Sequence, residues 1–277
     1  MEGKVQCDLC PCGCTLADGQ NGACRARGNR GGHIVSLNYG CITSAALDPI
    51  EKKPLQHFHP GSFILSVGSF GCNLHCPFCQ NHEISQGGME LPHQNVTPEA
   101  LVRLARELAD KEPGNLGIAF TYNEPLTGYE FVRDTSVLLH AEGLFSVLVS
   151  DGMITEKYWR ELLPHIDAMN IDLKGWSQDF YAWCGGDFEI VKRNIALAAE
   201  ATHIEVTTLV IPGKNDSVED MKAEAEWLAS LSTDIPLHIS RYFPRWKSEI
   251  SATPVETVYH IAEVAREYLM YVYEGNC

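Results

Sequence analysis

One loop carries three cysteines, Cys72-Asn73-Leu74-His75-Cys76-Pro77-Phe78-Cys79, and Gly71 opens it. Thiolates spaced C-x3-C-x2-C can ligate three irons of a 4Fe-4S cluster and leave the fourth iron open to a ligand. Structural zinc normally takes four protein ligands, and ferredoxin cysteines come in fours. A three-ligand loop therefore points to a cluster with one iron free for chemistry. The competing reading is a zinc loop completed by His75 or His82.

A second thiol group precedes it: Cys7, Cys10, Cys12 and Cys14, followed by Cys24, place five thiols within eighteen residues. That is more than one tetrahedral S4 site needs. Cys7, Cys10, Cys14 and Cys24 are the expected ligands, with zinc the first choice and a rubredoxin-like iron or a second cluster the alternative. Cys12 and Cys41 are spare, and Cys184 reads as a small buried hydrophobe. Residues 1–61 are rich in Gly and Cys, weakly periodic, and too short to order themselves without such a staple. They are expected to form a Cys-rich metal-binding segment ahead of a core domain at 62–277.

With 277 residues, 45% hydrophobic and 21% charged, the chain suits one large α/β domain plus a small appendage. No apolar run approaches the roughly 18 residues that span a bilayer. The opening Met1-Glu2-Gly3-Lys4 lacks the apolar core of a signal peptide. A cytoplasmic protein with no membrane partner is expected, and eleven cysteines in clustered spacings suit metal ligation in a reducing compartment. A net charge of −15 without a basic block argues against nucleic acid as a partner.

What must hold these residues is an alternation of short apolar runs and amphipathic stretches, the pattern of a parallel sheet covered by helices. Strands are expected at 63–67, 117–122, 145–150, 168–173, 203–210 and 236–240, and 268–273 could add a seventh. Helices are expected near 97–111, 129–141, 155–163, 188–201, 217–230 and 254–268; the first opens with a Thr cap and Pro98. A flat doubly wound sheet fits this pattern as well as a partial barrel. Either way, ligands gather at the carboxyl ends of the strands. On the fourth of these strands, alternation puts Asn170, Asp172 and Lys174 on one face, and an internal Asp172–Lys174 pair is the plain alternative to a functional role.

With Phe78 directly before its third cysteine, the cluster loop resembles the signature of the radical S-adenosylmethionine (SAM) superfamily. The resemblance implies a partial (β/α)6 TIM-like barrel in which SAM chelates the open iron. One-electron reduction, by flavodoxin or ferredoxin, then cleaves SAM to methionine and a 5′-deoxyadenosyl radical that takes hydrogen from a substrate. It assigns Phe78 to the adenine and Glu124, in Thr121-Tyr122-Asn123-Glu124-Pro125, to the SAM amine. Tyr122 and Asn123 share that turn, and Ser150 and Asp151 fall beside the SAM carboxylate. Asn170-Ile-Asp172-Leu-Lys174 resembles the strand that lines the SAM and substrate cavity of glycyl-radical activating enzymes, and Asn215 falls in a loop near the SAM ribose. His238 and Arg241 end the sixth strand; Lys174 and Arg241 are the expected substrate-facing groups.

Over nearly its whole length the chain resembles the radical SAM member of AmmeMemoRadiSam gene clusters, a family similar to pyruvate formate-lyase activating enzyme. The resemblance rests on Cys7-Asp-Leu-Cys10-Pro11, Asp48-Pro-Ile-Glu-Lys-Lys53-Pro-Leu55, His57-Phe58, Gly71-Cys72-Asn73-Leu74 and Phe78-Cys79-Gln80-Asn81, with the Glu124 turn. It implies Memo-like and AMMECR-type proteins as pathway partners. Activation of a glycyl-radical enzyme ranks second, because 63–70 lacks the Gly-x-Arg element those activating enzymes carry on the first strand. Cys12 stands where the family has a histidine-like residue, which leaves the amino-terminal ligand set open. A non-catalytic iron–sulfur carrier or scaffold is the third reading.

Overall fold

The computed structural model describes residues 3–277. An eight-stranded sheet organises the chain. In chain order its strands are β1 (Ser44–Pro49), β2 (Phe63–Gly68), β3 (Gly117–Phe120), β4 (Phe145–Ser150), β5 (Ala168–Asp172), β6 (His203–Val210), β7 (Leu237–Arg241) and β8 (Val272–Gly275). Strands β2 to β8 run parallel, each beside the next, and β1 closes one edge antiparallel to β2. β1 and β8 do not pair, so the sheet is a partial barrel with an open seam.

The helices that cover the sheet are α1 (Pro98–Ala109), α2 (Tyr129–Ala141), α3 (Glu156–Leu162), α4 (Gln178–Cys184), α5 (Phe188–Ala199), α6 (Val218–Leu231) and α7 (Val255–Arg266), and all but α4 lie where the amphipathic stretches predict them. Their starts follow capping chemistry: Thr97, Asp187 and Ser217 each accept a bond from a backbone N–H in the first turn of α1, α5 and α6. The sequence pattern does not announce α4, a seven-residue helix that Ser177 caps and that Gly185 ends in the left-handed conformation, φ 79°. The possible seventh strand exists, displaced to Val272–Gly275.

The sheet starts before residue 62. β1 lies inside the segment expected to be a separate appendage, and residues 50–58 after it turn into the lower mouth of the barrel. There Ile50 and Leu55 pack with Ile64, Ala119, Val147 and Ala168, mostly from the first rungs of their strands, in a small buried cluster. Polar groups fix this plug. Glu205 on β6 accepts from the N–H groups of Gln56 (2.9 Å) and His57 (2.8 Å), and Asn170 Nδ2 donates to Pro54 O at 2.9 Å. Burial alone would raise the Glu205 carboxyl, but bonds from His203, His238 and the two amides hold it at about 2. Closing the bottom leaves the carboxyl ends of the strands as the face for chemistry.

Candidate active site

The cluster loop leaves β2 at Gly71, whose φ of 89° suits glycine alone at this turn. Cys72, Cys76 and Cys79 line one cavity of about 270 Å3 at the carboxyl ends of the strands. Asn123 clamps the loop: its Oδ1 accepts from Ser69 N at 2.8 Å and its Nδ2 donates to Gly71 O at 2.9 Å. Burial pushes the Cys72 thiol up, aided by the Asp151 and Glu124 carboxylates. For Cys76 the neighbouring Cys184 thiol and burial do the same, with the Lys174 ammonium pulling the other way. Without metal these are protonated thiols, and binding iron must displace their protons.

Glu124 is buried and accepts three bonds: Leu126 N and Ser150 Oγ meet Oε1 at 2.8 and 2.9 Å, and Asp151 N meets Oε2 at 2.8 Å. One carboxylate thus ties the tip of β3 to the tip of β4. Asp151 accepts from Met153 N at 3.0 Å and brings Oδ2 to 3.8 Å from Cys72 Sγ. Burial first and then the neighbouring Asp151 charge push Glu124 well above the carboxylate range, and burial raises Asp151 as well. An arriving cation would relieve that pressure.

The cavity brings together most of the residues named from the sequence. Phe78, Tyr122, Asn123, Glu124, Ser150, Asp151, Asp172 and Lys174 line it with the three cysteines. Phe78 packs on Trp183 at 5.2 Å between ring centres. Lys174 Nζ holds Asp172 Oδ2 at 2.8 Å, the internal pair anticipated from strand alternation. Tyr122 sits at φ 72° and donates its hydroxyl to Asp48 Oδ2 at 3.0 Å; the buried Lys53 ammonium meets the same oxygen at 3.0 Å.

Four expected residues lie elsewhere. Asn170 binds Pro54 O and the Thr207 hydroxyl, and His238 Nε2 meets Glu205 at 2.6 Å, so both serve the plug. Asn215 folds back to accept from Ile211 N and to donate to Lys174 O and Leu209 O, bracing the loop after β6. Arg241 donates Nε to Thr253 O and stacks over Phe243 outside the cavity. The cavity wall is completed by Thr207, Leu209, Ser240 and Asn276, none of which the motifs single out. Thr207 and Ser240 each stand an even number of residues from a group already on the interior face, and that parity is the available signal. A wider cleft of about 730 Å3 opens along the seam, and Gln80, Tyr122, Ser240 and Asn276 line both spaces.

Cys7, Cys10, Cys12, Cys14 and Cys24 line a separate small cavity behind the cluster loop. Among the described residues no three His, Cys, Asp or Glu side chains stand closely enough together to hold a single ion. A shared cavity, a three-thiol donor set and buried carboxyls facing it fit a 4Fe-4S cluster with SAM on its open iron.

The profile of the radical SAM superfamily matches residues 66–228. The uncharacterised protein MJ0808 of Methanocaldococcus jannaschii is 40% identical over 99% of this chain and 82% of its own length. The (2S)-3-sulfopropanediol dehydratase activating enzyme of Klebsiella oxytoca is 26% identical, over 47% of this chain and 42% of its own. A domain of pyruvate-formate lyase-activating enzyme from Bacteroides vulgatus superposes with a TM-score of 0.51 at 21% identity, covering 57% of this chain and 98% of that domain. The matched span is more than half of the chain and contains both the cluster loop and the Glu124 turn; the chain belongs to the radical SAM superfamily and is a radical SAM enzyme.

Proposed function

We propose that this radical SAM enzyme is the one of an AmmeMemoRadiSam system, and that it abstracts hydrogen from a substrate lying between Lys174, Thr207 and Ser240. The observation that carries the reading is the single cavity joining the three cluster thiols to Glu124 and to polar groups of β5, β6 and β7. A bound cluster would supply the one electron whose transfer cleaves SAM to methionine and a 5′-deoxyadenosyl radical. The protein's own part is positional. Glu124 offers a carboxylate to the SAM amine, with Ser150 and Asp151 fixing its direction. Phe78 gives the adenine an apolar wall. Lys174, turned to Asp172, can present its remaining N–H groups to an anionic or carbonyl oxygen of the substrate.

A reduced flavodoxin or ferredoxin in the cytoplasm is the proposed donor, and Memo-like and AMMECR-type proteins the proposed pathway partners. The amino-terminal thiols Cys7, Cys10, Cys14 and Cys24 are proposed to hold zinc or iron. Deuterium transfer into 5′-deoxyadenosine from extracts containing the neighbouring gene products tests the reading. A labelled small molecule from that pathway supports it, and label arriving only from a protein glycine overturns it. Activation of a glycyl-radical enzyme is the second reading, favoured by the similarity to activating enzymes. The wide seam cleft would admit a polypeptide loop.

A further inference from the structure

The amino-terminal thiol cavity touches the cluster loop on both sides of Cys72. On one side Cys24 lies over Gly71: a Cβ there would come within 2.5 Å of the Cys24 carbonyl oxygen and 2.8 Å of Ala26 Cβ. On the other, Cys12 Sγ lies 3.8 Å from Asn73 O, and Asn73 itself lines the thiol cavity. Two buried polar atoms on this wall have no partner, Asn73 Oδ1 and Arg27 Nε. The Arg27 side chain is only 9% exposed, and its two terminal nitrogens are spent on Glu130 at 2.5 and 2.8 Å. That leaves a buried cationic N–H among thiols with nothing to bond, which is costly unless an acceptor arrives. A metal-bound thiolate is such an acceptor; a neutral thiol is a poor one.

We propose that a thiophilic metal ion held by Cys7, Cys10, Cys14 and Cys24 fixes Cys72 in its cluster-binding position, with Arg27 Nε donating to one of the metal-bound thiolates. This rests on the amino-terminal metal reading above. As they stand, no three of these thiols are placed as ligands of one ion, so binding one must rearrange them. Cys24 and the Cys10–Cys14 turn that carries Cys12 touch Gly71 and Asn73, so fixing them by ligation fixes the loop on both sides of Cys72. The metal is then a brace for the radical site as well as a staple for its own segment.

The test uses the full chain with Cys76→Ala and Cys79→Ala, in which Cys72 remains and neither zinc nor a cluster can be held by the loop. Zinc is titrated in, bound metal is measured, and the alkylation rate of Cys72 is followed by peptide mapping. The expected result is tight zinc binding with Cys72 alkylated at least about tenfold more slowly when zinc is bound. Zinc bound with an unchanged rate at Cys72 overturns the coupling. No zinc or ferrous iron bound overturns the site itself, and neither result touches the radical SAM assignment. Adding Arg27→Lys keeps the charge facing Glu130 but removes the Nε donor. It should weaken zinc binding about tenfold, the lower range for losing an outer-shell partner, with the far-UV circular dichroism unchanged; equal zinc affinity removes Arg27 from the proposal.

Discussion

Replacing Glu124 by Gln separates the charge of this residue from its shape. In the structure Oε1 takes Leu126 N and Ser150 Oγ, and Oε2 takes Asp151 N. The Gln oxygen can keep the first two, but its NH2 then faces the Asp151 N–H, donor against donor. One bond is lost and one buried donor stranded, so the fold should lose about 1–3 kcal/mol. SAM binding loses the charge facing its amine, about 1.5–3 kcal/mol, or roughly 10- to 150-fold in Kd. Ser150→Ala is the comparison: it removes a donor to Glu124 and an acceptor for Gly152 N, costing about 1–3 kcal/mol of stability, but leaves the charge, so SAM affinity should fall less than in Glu124→Gln. Equilibrium dialysis on cluster-loaded protein, beside urea unfolding, reads both quantities. Unchanged SAM affinity in Glu124→Gln would refute the role of this carboxylate in SAM binding and leave it as a tie between β3 and β4.

Further outcomes follow from the buried charges. Glu224 on α6 is fully buried against the Thr208 hydroxyl, and burial raises it to about 8. A raised carboxyl holds its proton in the fold, so its contribution is whole below the unfolded pKa and is lost as pH rises from about 4.5 towards 8. Glu224→Gln should therefore be more stable than the parent at pH 9, by a few kcal/mol at roughly 1.4 kcal/mol per unit, and should match it at pH 5; equal unfolding curves at pH 9 would contradict this. Glu205 is the opposite case: held at about 2, it stabilises above the unfolded pKa and loses that as pH falls from about 4.5 to 2. Glu205→Gln should cost about 3–5 kcal/mol and loosen residues 50–58 in hydrogen exchange. Unchanged protection there would show that the plug stands without it. Lys174→Met should keep uncoupled SAM cleavage but reduce substrate turnover about tenfold, the scale of one charge-assisted contact; unchanged turnover would remove Lys174 from the substrate wall.

The elements were legible because their apolar periodicity is strong, and the cluster loop because few arrangements place three thiols at that spacing. Depth within the barrel was less legible. Period-two alternation puts Asn170 on one face with Asp172 and Lys174, and the same parity sets His238 with Ser240, yet it cannot say which rung they occupy. Asn170 stands two residues below Asp172, and His238 two below Ser240, about 6.6 Å nearer the plug at 3.3 Å per residue. That one rung moves them from the cavity to Glu205 and Pro54. Arg241 follows Ser240 with opposite parity and so points away, which the same alternation could have revealed. The run Asp48–Phe58 has no periodicity at all. Its fold as a plug depends on Glu205, some 150 residues later, and a local pattern carries no trace of so distant a partner. Helix α4 was missed because its seven residues span barely two turns, although the Ser177 cap and the Gly185-Gly186 stop marked its limits.

The most direct test of the central claim is anaerobic: protein reconstituted with iron and sulfide, reduced with dithionite, and given SAM, with 5′-deoxyadenosine measured against time. The wild-type chain should produce it, and the Cys72→Ala/Cys76→Ala/Cys79→Ala variant should not, even with its amino-terminal metal in place. No 5′-deoxyadenosine from cluster-loaded, SAM-bound wild type, or an equal yield from the triple variant, would contradict the account.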